Sequence, residues 1–247
     1  MNLTVVGSGD AFGSGGRSNT CFWVETAKAT LVVDFGASAL PALKALQLDP
    51  NRIDAIVLSH LHGDHFGGLP FLLLDGQFLS RRERPLVIAG PPGARARIDA
   101  LLEVFFPKST GSKWRFPWRV EEIAPGQEAT VLGHSLLTAE VVHQSGAPST
   151  ALRLSDGAKV FAYSGDTEWT DALLPIARDA DLFICECYAY AGKITGHMSW
   201  EVLKTRFEGL RARQVMVTHM NPTMLACVQE VASAGLLVAQ DGMTLEF

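Results

Sequence analysis

The sequence lacks the features of a membrane or exported protein. It contains no uncharged apolar run of about 18 residues, which a spanning helix requires. Its opening stretch, MNLTVVGSGDAFGSGG, has no basic region before an apolar core and therefore predicts a strand and a loop instead of a signal peptide. Cysteine is scarce, with 4 in 247 residues, so no disulfide framework is expected. These features favour a reduced, cytoplasmic setting.

Strong net charge, linkers and repeats are missing as well. The formal net charge of −5 argues against general nucleic-acid binding. No Pro/Gly/Ser-rich linker divides the chain, so we expect a single domain over residues 1–247. One stretch, PKSTGSKWRFPWR at residues 107–119, interleaves cations with aromatic residues. It predicts a packed surface loop, a stacking contact with a nucleotide or, at Trp114–Trp118, an interface between two copies.

Hydrophobic periodicity predicts alternating strands and helices. Two β-meanders are expected, with strands at 1–6, 21–25 and 30–34 in the first half and at 119–123, 128–132 and 135–143 in the second. Helical spacing is found at 38–48, 66–79, 94–106, 171–178, 199–209 and 222–234. Short apolar runs such as 53–59 are typical of strands covered on both faces. The pattern therefore predicts two mixed sheets packed face to face with helices outside, in the α/β (α+β) class.

Five apolar runs end in a side chain that can bind a metal or move a proton. These are IVLSH at His60, AEVVH at His143, VFAYSGD at Asp166, LFICE at Glu186 and VMVTH at His219. Core strands usually lead into Gly, Asn or Ser turns instead. Rigid strand ends hold side chains accurately, so the recurrence predicts a functional site at these ends.

The most concentrated chemistry lies in HLHGDH, residues 60–65. Strand alternation places His60 and His62 on one side, and Gly63 allows a tight turn that directs Asp64 and His65 toward a second point. Buried without a metal, these four groups would leave costly unpaired donors or charges. Imidazole and carboxylate ligands suit zinc, and manganese or iron are alternatives.

Other strand ends supply the remaining ligands for two ions. We expect His143 to complete the first ion's set and His219 to join the second. Asp166 can bridge both ions, because a carboxylate has two oxygens with lone pairs to share. The predicted metal ligands are His60, His62, Asp64, His65, His143, Asp166 and His219.

The motif SHLHGDHFGG resembles the H-x-H-x-D-H signature of the metallo-β-lactamase fold superfamily. The similarity runs from GSGDAFGSGGRSNT to VMVTH and so covers nearly the whole chain. It implies a four-layer αββα sandwich with two Zn²⁺ per chain at one edge of the sheets. It also implies that the first zinc is held by His60, His62 and His143, and the second by Asp64, His65 and His219, with Asp166 bridging.

The stretch CECYAYAGKITGHMS, residues 185–199, resembles the ribonuclease Z branch of this superfamily. That branch has a H-E-A-T-like strand end followed by a G-H-S-T-like turn, and Glu186 and His197 keep the matching positions. Cys185 stands where the branch usually has histidine. The resemblance implies that Glu186 supports His197 while His197 protonates the leaving oxygen, and Asp64 is the third residue we expect to act in catalysis.

The sequence thus predicts a dinuclear zinc hydrolase, most simply a phosphodiesterase of ribonuclease Z type that attacks with a hydroxide shared by the metals. An RNA 3′-end endoribonuclease is one form of this function. Between His65 and Asp166, however, there is no long Gly/Pro-containing arm of the kind that grips tRNA. The alternatives are a lactone or thioester hydrolase and a non-catalytic metal-binding interaction module. The expected partners are a small-molecule, nucleotide or RNA diester and a second copy of the chain, without a membrane.

Overall fold

Two β-sheets of seven strands each form the centre of the computed structural model, which describes residues 1–247. The strands are β1 (Asn2–Gly7), β2 (Cys21–Glu25), β3 (Thr30–Val33), β4 (Ala55–Val57), β5 (Leu86–Gly90), β6 (Trp118–Glu122), β7 (Glu128–Val131), β8 (His134–Glu140), β9 (Thr150–Ser155), β10 (Val160–Tyr163), β11 (Leu182–Glu186), β12 (Val215–Thr218), β13 (Leu237–Val238) and β14 (Thr244–Glu246).

The helices are short and lie on the outer faces of the sheets. They are α1 (Ala39–Ala45), α2 (Gly63–Phe66), α3 (Leu69–Leu74), α4 (Ala94–Phe105), α5 (Leu173–Ala177), α6 (Trp200–Leu203), α7 (Pro222–Leu225) and α8 (Val228–Ser233). Single 3₁₀ turns occur at Ser14–Gly16, Pro50–Arg52, Ser109–Gly111 and Phe207–Leu210, and a π-helical turn at Asp75–Leu79. None of these helices has the length and apolar character needed to cross a bilayer.

Each sheet is mixed. The first has the order β14-β1-β2-β3-β4-β5-β6, with parallel pairing from β3 to β6, and the second has the order β13-β12-β11-β10-β9-β8-β7, with parallel pairing from β10 to β13. The predicted four-layer αββα sandwich is therefore confirmed. The sequence pattern missed β13 and β14, because two or three residues are too short to show a period.

The inner strands are buried on both faces. In β3, Leu31 and Val33 lie in the core between the sheets, while Val32 packs beneath the helices. In β11, Ile184 faces the inter-sheet core and Phe183 faces the outer helices. This explains why the central strands read as continuous apolar runs, as expected for parallel strands covered on both sides.

Several predicted helices are divided in the structure. The helix predicted at 66–79 is replaced by α2, α3 and the π-helical turn at 75–79. The interruption lies at Gly68, whose N–H donates to the Phe35 carbonyl at 3.0 Å, and a Cβ there would stand 2.3 Å from the Gly36 carbonyl oxygen. The predicted helix at 222–234 is similarly split into α7 and α8. Tertiary contacts with neighbouring loops thus override the local helical pattern.

Candidate metal centre

The candidate site lies where strands of both sheets end. His60 to His65 follow β4, while Glu186 is the last residue of β11 and His219 comes directly after β12. Because β10, β11 and β12 are parallel, their carboxyl ends meet at one edge, and Asp166 follows β10 there. His219 adopts a φ of 60°, and its N–H donates to the Ser8 carbonyl at 3.1 Å. Topology alone therefore brings distant parts of the chain to one point.

Two groups of ligand atoms form at this edge. The atoms of His60, His62 and His143 lie within 4.8 Å of one another, and so do those of the second group, Asp64, His65, Asp166 and His219. His62 Nδ1 and His143 Nε2 are 2.9 Å apart. All seven predicted ligands are thus brought together.

Asp166 lies between the two groups. Its Oδ2 is 3.9 Å from His60 Nε2 and 3.9 Å from His143 Nε2 in the first group. In the second group it is 3.3 Å from His65 Nε2 and 3.4 Å from His219 Nε2. A carboxylate in this position can serve both groups, as the expected bridging ligand must.

Hydrogen bonds from the Nδ1 atoms fix the orientation of three histidine rings. Ser59 Oγ donates to Asp34 Oδ2 at 2.7 Å, so His60 Nδ1 donates to Ser59 Oγ at 3.0 Å. His65 Nδ1 donates to the same Asp34 oxygen at 2.7 Å. His143 Nδ1 donates to the Gly196 carbonyl at 2.8 Å. Each of these rings therefore directs Nε2 into the cluster, the arrangement usual for metal-binding histidines.

Unpartnered buried atoms test whether a metal fits this site. His60 Nε2, His65 Nε2, Asp166 Oδ1 and His219 Nδ1 are buried without a hydrogen-bond partner. Such orphaned groups are rare, because leaving one unpaired costs about 1–3 kcal/mol. Five imidazoles and two carboxylates form a donor set that suits zinc, so the residues fit a pair of divalent cations.

The charge balance of the cluster points the same way. Burial lowers the pKa of His60 well below its usual value and also lowers that of His143, which leaves both rings neutral as ligands. Burial acts in the same direction on His65, but Asp166, Asp64 and Asp34 together raise its pKa well above the usual value. The pKa of Asp166, which burial alone would raise, is held far below its usual range by His219 and His65. Asp166 is therefore an ionised carboxylate, and a bound cation would take over the positive charge that His65 supplies to it.

At the side of the cluster, Glu186 and His197 form a hydrogen-bonded pair, and His197 Nδ1 also lies 3.9 Å from Asp166 Oδ2. His197 Nδ1 is 3.3 Å from both carboxylate oxygens of Glu186, and the Thr167 N–H donates to that carboxylate. The Tyr188 ring stacks on His197 with 4.7 Å between centroids. Burial lowers the pKa of His197, but Glu186 and Asp166 raise it to about 9. The raised pKa favours the protonated imidazole, and the contacts with Glu186 and Tyr188 fix the orientation of the ring, as a proton donor requires.

Sequence reasoning missed Asp34 and Tyr188. Asp34 directly follows β3 in VVDFG, which is the same signal that marked the other strand ends. Tyr188 lies two residues beyond Glu186, but its stacking on His197 depends on a chain reversal that no local pattern reveals. The seventh histidine, His134, contacts Thr26 Oγ1 at 2.9 Å away from the cluster.

The aromatic stretch at 107–119 lies apart from these residues. Trp114 and Trp118 pack edge to face with centroids 5.8 Å apart, and Arg95 of α4 lies 4.6 Å from the Trp118 ring centre. Phe116 is buried in the core beneath α3 and α4. The rings therefore pack largely against their own neighbours.

An αββα sandwich with this His/Asp cluster at the sheet edge defines a metal-dependent hydrolase of the metallo-β-lactamase fold. Within that class, the profile of the family described as Anti-Pycsar protein Apyc1 matches residues 1–243, and the chain belongs to this family.

Sequence and structure comparisons agree with this assignment. The chain is 29% identical over 230 residues to the probable metallo-hydrolase YhfI of Bacillus subtilis, covering 89% of this chain and 87% of the relative. It is 25% identical over 276 residues to ribonuclease Z of Geobacillus kaustophilus, covering 89% and 87%. The human short-form tRNase Z (ELAC1) superimposes with a TM-score of 0.81 at 23% identity, covering 100% and 99%.

Proposed function

We propose that residues 1–247 form a single dinuclear zinc phosphodiesterase domain. The observation that carries this proposal is the hydrogen-bonded His197–Glu186 pair beside a seven-residue ligand cluster. Diester cleavage with an alcohol leaving group needs both charge stabilisation at the phosphate and a proton for the leaving oxygen. A thioester has a better leaving group and needs no such acid. The ribonuclease Z relatives support the same choice.

The ligand roles in this proposal follow the two atom groups. His60, His62 and His143 would hold one ion, and Asp64, His65 and His219 the other, with Asp166 shared. Zinc is our first choice because imidazole dominates the donor set, and manganese or iron could occupy the same ligands. When bound, such a pair supplies Lewis acidity at the phosphate oxygens and a water activated near neutral pH.

Three side chains of the chain then carry the proton and orientation steps. His197 keeps Nδ1 on Glu186, so its Nε2 donates the proton to the leaving oxygen. Glu186 is buried and stabilises the imidazolium, as expected of a positioning carboxylate. Asp64 has a side chain 10% exposed, against 2% for Asp166, so it is the cluster carboxylate that can accept a hydrogen bond from the attacking water.

Leaving-group dependence tests this assignment. With zinc or manganese, the protein should hydrolyse bis(4-nitrophenyl) phosphate, and His65→Ala should lower turnover at least about 100-fold because it removes a ligand. His197→Ala should lower turnover of an alkyl diester by about 10²–10⁴-fold but affect the 4-nitrophenyl diester much less, because 4-nitrophenolate departs without a proton. His134→Gln serves as a control for loss of a buried histidine outside the cluster.

Two results would contradict the proposal. If metal-loaded protein is inert toward diesters but hydrolyses lactones or thioesters, it is an acyl hydrolase of the same fold. If metal analysis finds well under two ions per chain after zinc reconstitution, the non-catalytic binding module is favoured.

We also propose that the chain forms a homodimer through an apolar surface on α3, the π-helical turn and α4. Phe78, Leu79 and Val104 are 71%, 72% and 72% exposed. Phe71 and Phe105 are also exposed, and their ring centroids lie 5.6 Å apart across α3 and α4. Several large apolar side chains exposed on neighbouring elements are a feature of association sites. Light scattering should give a dimer mass for the native chain and a monomer mass for Leu79→Glu, and a monomeric native chain would contradict the assignment.

A further inference from the structure

A cavity of about 480 Å³ lies beside His197, and the proposed chemistry gives it no role. Its walls come from residues 168–169, which follow β10, and from the segment 192–206. These walls are tied to each other, because the Gly196 N–H donates to Glu168 Oε1 at 3.0 Å. They are also tied to the metal cluster, because the Gly196 carbonyl accepts from His143 Nδ1 at 2.8 Å. The cavity is therefore fixed relative to the candidate centre.

The cavity combines an aromatic plane with charged groups of both signs. The guanidinium of Arg206 lies 5.1 Å from the ring centre of Trp169. Arg206 and Lys193 are exposed and form no salt bridge. The two lining carboxylates keep their charge and each accepts one backbone N–H, Glu168 from Gly196 and Glu201 from Gly192 at 3.3 Å, so the lining apart from His197 carries two charges of each sign. An indole plane with hydrogen-bonding groups of both signs around it is the chemistry that holds a neutral nucleobase by stacking.

Position decides which part of a diester the cavity can receive. His197 lines the cavity and, in the proposed function, donates its proton to the leaving oxygen. The group bonded to that oxygen must therefore lie next to His197, at the side where the cavity opens. The volume lies within the range of about 300–1,000 Å³ that is usual for small-molecule sites.

We propose that this cavity, which we call the base cavity, binds the nucleobase of the nucleoside attached to the leaving oxygen, with Trp169 as the stacking surface. The inference rests on the proposed phosphodiesterase function and adds to it a site for one nucleobase. Trp169 is a binding residue in this assignment, and Arg206 holds the indole and adds charge next to the base.

Binding of an uncleavable substrate analogue tests the base cavity without relying on turnover. The probe is a uridylyl-uridine analogue in which a methylene replaces the leaving oxygen. Its partner compound has hydrogen in place of the base on that same ribose. Calorimetry on zinc-loaded protein should show the base-bearing compound binding roughly 5- to 140-fold more tightly, the equivalent of about 1–3 kcal/mol for one stacked base.

Variants assign that preference to one ring. Trp169→Ala should bring the affinity ratio close to one, while Trp169→Phe, which keeps a ring and guards against misfolding, should retain most of it. Trp114→Ala is the matched control, because it removes an indole beside Arg95 in the other aromatic cluster, and it should keep the native ratio. A native ratio near one, a Trp169→Ala ratio equal to the native one, or a loss at Trp114→Ala instead would each overturn the inference. A different result would contradict the proposed function instead: zinc-loaded protein that still prefers the base-bearing probe but does not hydrolyse diesters.

Discussion

Asp34 should control metal affinity although it lies outside the ligand cluster. The carboxylate is fully buried and accepts three hydrogen bonds. Its Oδ1 accepts from Ser59 N–H at 2.7 Å, and its Oδ2 accepts from both Ser59 Oγ and His65 Nδ1 at 2.7 Å. Asp34→Asn keeps the shape but replaces one of these oxygens with an NH₂ group, so at least one donor must face another donor.

The structure indicates which rearrangement follows. If the amide nitrogen takes the Oδ2 position, His65 Nδ1 can no longer donate and the ring changes tautomer, which moves the proton to Nε2. That nitrogen lies 3.3 Å from both Asp64 Oδ2 and Asp166 Oδ2 and is the one directed at the second metal group. Removal of a partner of this kind typically weakens metal affinity by about 10- to 100-fold, or roughly 1.4–2.7 kcal/mol.

Competition with a chromophoric chelator measures this effect directly. Asp34→Asn should release one of two zinc ions at a roughly 10- to 100-fold lower chelator concentration than the native protein. Asp99→Asn removes a carboxylate charge on α4, where Asp99 pairs with Arg95, and should titrate like the native protein. If Asp34→Asn retains both ions with native affinity, the reasoning from tautomer and hydrogen bonding is refuted.

Three further predictions concern stability and loop geometry. Arg82→Gln should lower the free energy of unfolding in urea by about 3 kcal/mol, because the buried guanidinium donates to five carbonyls. Arg84→Gln, a substitution on the surface, should have little effect, and equal losses of stability in the two variants would contradict this. Gly36→Ala should reduce both Tm and diester turnover, because its Cβ would lie 2.2 Å from the Asp64 carbonyl oxygen. Gly111→Ala, whose Cβ would meet no neighbour within 4 Å, should match the native protein in both assays. Chelation of zinc should lower stability by about 4 kcal/mol at a free zinc concentration 1,000 times Kd, and an unchanged calorimetric Tm would show that the metal does not bind the native state.

The sequence predicted most of this architecture because burial imposes a visible period on strands. The predicted strand at 21–25 matches β2, and most other predicted strands differ from the observed ones by one or two residues at an end. Helices were predicted too long, because sites such as Gly68 break them through contacts with a distant loop. Local pattern sets where an element forms, whereas tertiary packing sets where it stops.

The ligand residues of the candidate site could be predicted from the sequence, but the residues that support them could not. The ligand residues sit at strand ends, where a polar side chain after an apolar run is visible in the sequence. Asp34 shows the same signal, but its role depends on a contact with His65, 31 residues away. The base cavity was not predictable at all, because Trp169 and Arg206 are 37 positions apart and meet only through the segment that folds back beside His197.

Cys185 shows why a mismatch in a motif need not change the chemistry of a site. Alternation along β11 directs Ile184 toward the inter-sheet core and Cys185 toward the outer core beneath the helices. Burial raises the pKa of the Cys185 thiol far above its usual value, so it remains a neutral packing group and offers no thiolate. Its neighbour Ser164 accepts the Glu186 N–H at 2.9 Å, which anchors the carboxylate that holds His197. The histidine usual at this position in the ribonuclease Z branch would therefore stand behind the Glu186–His197 pair, and its replacement removes no ligand and no proton donor from the site.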